Sequence, residues 1–224
     1  MAEWSIAPHL KCGVPKGTVS SNLTPSAMEI ETDVIARVQD EYERSLEIPS
    51  EKPERQFLLC PVGLIGAGKT TVTTPLATRL SLVRISADDV RKLLKENGLG
   101  YEAASDICHA LAIKYIQQGH SIAIDSDCAS PKTQEFITKA AEEFSLKIIW
   151  IHIDPPEAFI LNKFLTHEPS WLFQNPAQAI ENYEARKPLH ENLTMPFTYT
   201  FDTSKENLPE QLNEAVSVIR VAVD

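Results

Sequence analysis

The sequence predicts an α/β fold in which a parallel five-stranded sheet is covered by helices on both faces. Short apolar runs alternate with helical patterns from residue 57 to the end of the chain, as in strand–helix–strand units. The first of these runs ends in a glycine-rich turn that leads directly into a helix. The 224 residues, 43% of them hydrophobic, are enough for one substantial domain with a sizeable core.

Five apolar runs are predicted to form the strands. In chain order they are Phe57–Val62, Leu82–Ser86, Ser121–Asp125, the run "LKIIWIHID" and the run "FTYTFDTS". The helices are predicted over Thr70–Leu80, Ala103–Gly119, "SPKTQEFITKAAEEFS" and the C-terminal "NLPEQLNEAVSVIRVAV". Gly119 is suited to ending its helix, and Ser130 followed by Pro131 is a favoured helix start. This alternation is the pattern of a parallel sheet.

Residues 1–54 are predicted to form an N-terminal arm with one helix, and residues 55–224 the main domain. The arm contains five prolines and the polar stretch "GTVSSNLTPS", which favour irregular structure. Its helix is predicted to start at Ser26, a capping residue with Glu29 three positions later, and its apolar residues recur at helical spacing, namely Ile30, Val34, Ile35 and Val38. We expect this helix to pack on the main domain, with docking of a partner as the alternative.

Charge and cysteine content restrict the possible functions. The formal net charge of −10 disfavours general electrostatic binding of nucleic acid, although it still allows a small local basic groove. The cysteines form no C-x-x-C pair, so we expect reduced thiols rather than a zinc site or disulfides at Cys12, Cys60, Cys108 and Cys128. The start of the sequence has no signal-peptide pattern and no apolar run is long enough to span a bilayer, so we expect a cytoplasmic protein without a membrane partner.

The stretch "GLIGAGKT" fits the phosphate-loop pattern G-x-x-x-x-G-K-[ST] and lies between a predicted strand and a predicted helix. Glycines allow backbone N–H groups to face an anion, and the start of the helix adds its own free N–H groups. The pattern predicts an ATP site, with Mg²⁺ at Thr70, made by Gly63, Gly66, Ala67, Gly68, Lys69, Thr70 and Thr71. The alternative is an ordinary surface turn that contains a coincidental lysine.

Two pairs of carboxylates follow the second and third predicted strands. Because parallel strands end at the same sheet edge, both pairs should face the phosphate loop. Asp88 and Asp89 precede a helix expected to open at Arg91, and Asp88 suits a general base that takes a proton from an acceptor hydroxyl. The competing interpretation is that aspartate simply favours a helix start. Asp125, with Asp127 two residues further on, is either the second anchor for Mg²⁺ or a turn residue.

In this order the motifs resemble the P-loop kinases related to polynucleotide kinase and zeta toxin. The resemblance runs from about Phe57 to the C-terminus and is carried by "GLIGAGKTT", "ISADDVR", "GHSIAIDSD", "IHIDPPEAF" and "FDTS". It implies a three-layer P-loop NTPase fold with strand order 2-3-1-4-5. It also implies that Asp88 is the base, that Arg91 helps to bind the acceptor, and that Asp125 belongs to the Mg²⁺ site. Catalysis would then depend on Lys69, Asp88 and Arg91, with ATP and Mg²⁺ bound.

The segment after the fourth strand departs from this family. The family places arginines there, in a lid that neutralises the charge of the transferring phosphoryl group. Here the segment offers only Lys163 early and Arg186 late, and the sequence does not choose between them. Its aromatic residues are expected to pack the lid rather than stack on a substrate: Trp171, Phe173 and Tyr183.

The sequence therefore predicts an ATP-dependent phosphotransferase that moves the γ-phosphate to a hydroxyl of a small molecule. Two alternatives stay open at this point. One is a polynucleotide 5′-hydroxyl kinase, which needs a basic channel that the acidic balance disfavours. The other is an ATP-binding switch or scaffold without catalysis, which the arginine-poor lid and the N-terminal arm would suit. No pattern in the sequence identifies the acceptor.

Overall fold

The computed structural model describes residues 25–167 and 171–224, with side chains from residue 31 onward. The first 24 residues of the predicted arm, including Cys12, lie outside this range. The side chains of Ser26 and Glu29, predicted to cap the arm's helix, also lie outside it. Among the described residues, no helix combines the length and the apolar character needed to cross a bilayer.

The sheet has five strands, all parallel, in the order β2-β3-β1-β4-β5. The strands are β1 Phe57–Val62, β2 Val83–Ser86, β3 Ile122–Asp125, β4 Lys147–Ile153 and β5 Phe197–Phe201. Each was predicted to within a few residues, and the order implied by the resemblance is confirmed. β1 is central and fully buried, so the loop that follows it lies in the middle of the sheet edge.

Eight described α-helices connect and cover the strands. They are α1 Pro25–Ser45, α2 Lys69–Arg79, α3 Ala87–Glu96, α4 Ala104–Gln117, α5 Pro131–Phe144, α6 Glu157–Thr166, α7 Pro176–Arg186 and α8 Leu208–Val223. A short 3₁₀ segment, Lys187–His190, follows α7 directly. The start of α5 is as predicted, with Pro131 in its first turn after Ser130.

Two hydrophobic cores, one on each face of the sheet, make the fold three-layered. One core joins the sheet to α1, α3, α4 and α5 through residues such as Val38, Val90, Leu111 and Ile137. The other joins it to α2, α6, α7 and α8 through residues such as Leu76, Ile160, Tyr183 and Ile219. Burying both faces explains why the strands have almost continuous apolar runs. The predicted three-layer α/β fold is confirmed.

Helix α1 belongs to the first core rather than standing apart from it. Val38 is 1% exposed and Tyr42 is 2% exposed, both within the cluster that contains α3 and α4. Packing of this helix on the main domain is therefore confirmed. The division of the chain at residue 54 into an arm and a domain stays a prediction.

Pro61 is tolerated inside the central strand because the pairing with one neighbouring strand, β3, ends before it. β1 pairs with β3 only at Leu58 and Leu59, whereas its pairing with β4 continues to Val62. The Pro61 carbonyl faces the β3 side, where it accepts a hydrogen bond from the backbone N–H of Cys128. The N–H that proline lacks would therefore point to a side where the regular ladder has already ended.

Candidate active site

The loop between β1 and α2 is built around glycines that no other residue can replace without strain. Gly66 and Gly68 have φ angles of 83° and 96°, in the left-handed region that favours glycine. A Cβ on Gly66 would lie 2.7 Å from Phe164 Cζ, and one on Gly63 would lie 2.7 Å from the Ile153 carbonyl oxygen. The loop is thus held tightly between the ends of β4 and α6, with the first turn of α2 facing it.

Lys69 extends back over this loop. Its Nζ donates hydrogen bonds to the carbonyl oxygens of Gly63 at 2.7 Å and Leu64 at 3.0 Å. Burial lowers the pKa of Lys69, and the charges of Asp127, Asp88 and Asp125 oppose that shift. Carboxylates that follow two neighbouring strands therefore lie near enough to Lys69 to influence its charge, as the shared sheet edge predicted.

Beside Lys69, the site contains a hydrogen-bonded group made of Thr70, Asp125 and Arg84. The Thr70 hydroxyl donates to Asp125 Oδ1 at 3.3 Å. The other oxygen of Asp125 accepts from Arg84 Nε at 2.7 Å and lies 2.5 Å from Arg84 Nη2. Burial raises the pKa of Asp125, and the Arg84 guanidinium and the Thr70 hydroxyl act against it. Arg84 was missed in the sequence, where the only signal is one arginine within the apolar strand "LVRIS".

The two aspartates predicted to face the acceptor, Asp88 and Asp89, lie in the first turn of α3. This helix begins at Ala87 rather than at Arg91 as predicted. The helix starts earlier because the Ser86 hydroxyl caps it, accepting from the backbone N–H of Asp89 at 3.2 Å. Arg91 is consequently one helical turn from Asp88, and its Nη1 lies 2.7 Å from Asp88 Oδ1. Asp88 remains half exposed, so a ligand can reach its carboxylate.

Asp127 has a partner from a distant part of the chain. Its Oδ2 lies 3.0 Å from Nε2 of His190, in the 3₁₀ segment after α7. Both side chains are largely buried, at 18% and 7% exposure. Burial works to raise the pKa of Asp127, but the His190 hydrogen bond and the Lys69 charge hold it below its ordinary value. No pattern in the sequence relates these two residues, which are 63 positions apart.

The lid region places one of its two candidate cations at the phosphate loop. Lys163, on α6, points its Nζ at the carbonyl oxygen of Gly66 at 3.4 Å. Arg186 is exposed at the end of α7. Tyr183 is 2% exposed and packs edge-on against Phe164, which confirms the prediction that it packs the lid.

The segment after β5 also contacts the loop. The Thr203 hydroxyl donates to the Ala67 carbonyl at 2.7 Å, and its methyl group would lie 3.1 Å from a Cβ on Gly68. Thr203 belongs to the motif "FDTS", so this contact brings that motif to the phosphate loop. The phosphate loop is therefore braced from both sides, by α6 and by the turn after β5.

The side chains present fit a magnesium ion bound mainly through phosphates. The Thr70 hydroxyl and the Asp125 carboxylate converge beside the loop. Within the described part of the chain, no three His, Cys, Asp or Glu side chains form a group that could hold a metal alone. Mg²⁺ commonly keeps waters and takes one or two protein ligands plus substrate phosphates, so two oxygens at this place suit it.

Comparisons with known proteins agree with this architecture. Residues 58–164 match the family described as "AAA domain". The structure of APS kinase from Mycobacterium tuberculosis, in complex with AMPPNP and APS, is 16% identical, with a TM-score of 0.52 over 75% of this chain and 99% of that one. No curated protein sequence gives a significant match.

Two further solved structures share the fold at low identity. A gluconokinase from Sinorhizobium meliloti 1021 is 11% identical, with a TM-score of 0.52 over 75% of this chain and 93% of its own. A sugar kinase from Janibacter sp. HTCC2649 is 14% identical, with a TM-score of 0.50 over 75% of this chain and 96% of its own. The predicted resemblance to P-loop kinases is thereby confirmed at the level of the fold, which this chain shares with them.

Proposed function

We propose that this protein transfers the γ-phosphate of ATP to a hydroxyl group of a small molecule. The observation that carries the proposal is geometric: Lys69 lies over the loop, the Thr70 hydroxyl bonds Asp125 beside it, and Asp88 is half exposed in the first turn of α3. These residues would supply a phosphate-binding lysine, a carboxylate beside the Mg²⁺ position and a carboxylate open to a second substrate. A phosphoryl-transfer site needs these parts.

The nucleotide would be held chiefly by backbone groups. The N–H groups of Gly66, Gly68 and Thr71 would face the phosphates at the start of α2, where the helix dipole favours negative charge. The Ala67 N–H donates to the Leu64 carbonyl at 3.1 Å and would have to leave it to do the same. Lys69 would turn from its present carbonyl partners to the β- and γ-phosphates. Thr70 and Asp125 would hold Mg²⁺, which neutralises charge on the phosphates when bound.

Asp88 would act as the general base, and Arg91 would keep it in place and hold the acceptor. The Asp88 carboxylate takes the proton of the acceptor hydroxyl while the hydroxyl oxygen forms a bond to the γ-phosphorus. The bond from the γ-phosphorus to its bridging oxygen breaks, and ADP leaves with that electron pair. Lys163, close to the phosphate loop, is the lid cation best placed to stabilise the transferred group.

A small molecule is favoured over nucleic acid as the acceptor. The net charge of −10 argues against a strand-binding surface, and gluconokinase and APS kinase, which share the fold, are named for small-molecule substrates. One observation favours a second candidate, an ATP-binding switch without catalysis. Asp125 already pairs with Arg84, which would compete with Mg²⁺ for that carboxylate.

The decisive experiment measures ADP formation from ATP and Mg²⁺ with a pool of nucleosides, sugars and short oligonucleotides as acceptors. Wild type is compared with Lys69→Ala, Asp88→Asn and the surface control Glu135→Gln, whose carboxylate pairs only within its own helix with Lys139. We expect acceptor-dependent turnover in wild type and control, weakened ATP binding in Lys69→Ala, and retained ATP binding without turnover in Asp88→Asn.

Other results would choose among the alternatives. Turnover with oligonucleotides alone would establish the polynucleotide kinase. Tight ATP binding without turnover on any acceptor would contradict catalysis and support the switch. Unchanged turnover in Asp88→Asn would remove Asp88 as the base.

A further inference from the structure

Tyr42 connects the N-terminal helix to the acceptor side of the site. Its ring is buried at 2% exposure, and its hydroxyl accepts a hydrogen bond of 2.7 Å from the backbone N–H of Ser86. Ser86 is both the last residue of β2 and the cap of α3. Burial raises the pKa of Tyr42 well above its ordinary range, so the phenol is neutral at physiological pH.

The Ser86 N–H needs this partner because β2 is an edge strand. Among the described strands, β2 pairs only with β3. Alternate residues of a parallel strand face each neighbour, and the N–H of Val83 donates to Ser121 at the β3 side. The N–H of Ser86 is therefore directed to the open side, where a buried and unpaired donor would be unfavourable. α1 covers this side, and its tyrosine satisfies the donor.

From Tyr42 a continuous series of hydrogen bonds reaches the phosphate loop. Ser86, bonded to Tyr42, also caps Asp89 through its hydroxyl. The Asp89 carboxylate lies 3.0 Å from Arg84 Nη1. Arg84 in turn holds Asp125, which accepts from the Thr70 hydroxyl. Asp88 lies in the first turn of α3, the turn that Ser86 caps and that this series of hydrogen bonds connects to the phosphate loop.

A second set of contacts anchors α1 away from the site. The Glu43 carboxylate lies 2.5 Å from Lys114 Nζ and accepts from the Tyr115 hydroxyl at 3.0 Å, both on α4. Val38 is buried one turn before Tyr42. The helix is thus fixed at several points, although it precedes the family match, which begins at residue 58.

We propose that Tyr42 is a positioning residue for phosphoryl transfer, through which α1 holds the turn from β2 to α3 and thereby Asp88. This inference depends on the proposed function, because it assigns α1 a part in placing the base of that reaction. Tyr42 is buried, so it would act through the Ser86 backbone rather than by contact with a ligand. Its effect should therefore fall on turnover rather than on ATP binding, since the phosphate loop is braced by other contacts.

The test compares Tyr42→Phe with Tyr115→Phe. Each substitution removes one hydroxyl that fastens α1, but only the first touches the β2–α3 turn. Backbone amide exchange is followed by mass spectrometry in residues 83–92 and in the phosphate loop, 63–71. The kcat and the KM for ATP are measured with the same acceptor pool.

For Tyr42→Phe we expect roughly tenfold faster exchange in residues 83–92 with the loop unchanged. We also expect kcat to fall about fivefold or more, with KM for ATP within about twofold of wild type. Tyr115→Phe should change neither quantity. Unchanged exchange in 83–92, or faster exchange with unaltered kcat, would overturn the inference.

Faster exchange throughout the chain, or equal effects from Tyr115→Phe, would also overturn it, because α1 would then have only a general stabilising role. If wild type transfers phosphate to no acceptor, the proposed function fails. In that case the exchange comparison alone decides whether Tyr42 fixes the turn, so the two failures are distinguishable.

Discussion

The phosphate loop, residues 63–71, and the acceptor-side turn from β2 to α3, residues 83–92, lie at the same sheet edge but differ in the contacts that set their shape. In the loop, Lys69 bonds carbonyls only six and five residues earlier, and glycine backbone angles set the shape. In the turn, Ser86 depends on Tyr42, 44 positions away, and Arg84 bonds Asp125, 41 positions away. The shape of the loop can be predicted from a short motif, although Thr203 and Lys163 also contact it from distant parts of the chain. The side-chain partners in the turn are determined only in the folded chain.

This difference has a functional consequence. Changes in the loop should act first on nucleotide binding, because its backbone forms the anion site. Changes at the acceptor-side turn should act on turnover or on stability, because its side chains carry the proposed chemistry and its long-range pairs connect separate elements. Four substitutions test this division, and they are given from the largest expected effect to the smallest.

The largest effect is expected at the acceptor side, from Asp88→Asn. Losing a general base should lower kcat by about 10²–10⁴-fold, with the dissociation constant for ATP unchanged within about twofold. Asp89→Asn is the matched comparison, since Asp89 is adjacent but paired with Arg84. Steady-state kinetics and ATP titration measure both quantities. Equal losses of kcat in the two variants would mean that the turn as a whole, rather than Asp88, supports the reaction.

Arg84→Met tests whether a long-range pair stabilises the turn. Asp125 is 2% exposed and would be left as a buried carboxylate without its cation, so the free energy of unfolding should fall by about 3 kcal/mol. Lys132→Met provides the contrast, because Lys132 and Asp106 are both more than half exposed and their pair should contribute less than about 1 kcal/mol. Denaturant unfolding compares them, and similar losses would contradict the argument from burial.

Gly66→Ala tests the phosphate loop. An alanine there meets both a φ of 83° and Phe164 at 2.7 Å, so ATP binding should weaken by about 10- to 100-fold. Gly98→Ala is the control, because Gly98 also has a positive φ, of 74°, but nothing within 4 Å. Isothermal titration with ATP gives the affinities. Normal affinity in Gly66→Ala would show that the loop tolerates movement of Phe164.

The smallest effect concerns the pH dependence of stability at Asp127. A carboxylate with a depressed pKa in the folded state stabilises the fold above its unfolded pKa, near 3.9, and loses that contribution as pH falls through the folded pKa. Asp127→Asn should therefore lower the free energy of unfolding by about 1–2 kcal/mol at pH 6, and this difference should shrink below about pH 4. Unfolding curves at several pH values measure it.

Asp106→Asn, at an exposed carboxylate, is the control for that experiment and should stay within about 0.5 kcal/mol of wild type at each pH. A constant difference between wild type and Asp127→Asn down to low pH would mean that the loss comes from packing. The loss of stability would then not come from the charged form of the Asp127 carboxylate, which His190 and Lys69 stabilise.

The sequence alone determined the parts of this protein that depend on near neighbours. Apolar runs and helical spacing predicted all five strands, and "GLIGAGKT" identified the phosphate loop. Asp88 and Asp125 could be placed at one edge because parallel strands end together. The strand order came from the resemblance, since periodicity carries no information about which strands are neighbours.

The tertiary structure decided what depends on residues far apart in the chain. It moved the start of α3 to Ala87, assigned Arg84 to Asp125 and His190 to Asp127, and brought Lys163 rather than Arg186 to the loop. It also showed that Tyr42 covers the edge of β2. Local propensity is encoded within a few residues, whereas a side chain's partner depends on how the whole sheet and its helices pack, and that information is spread across the entire chain.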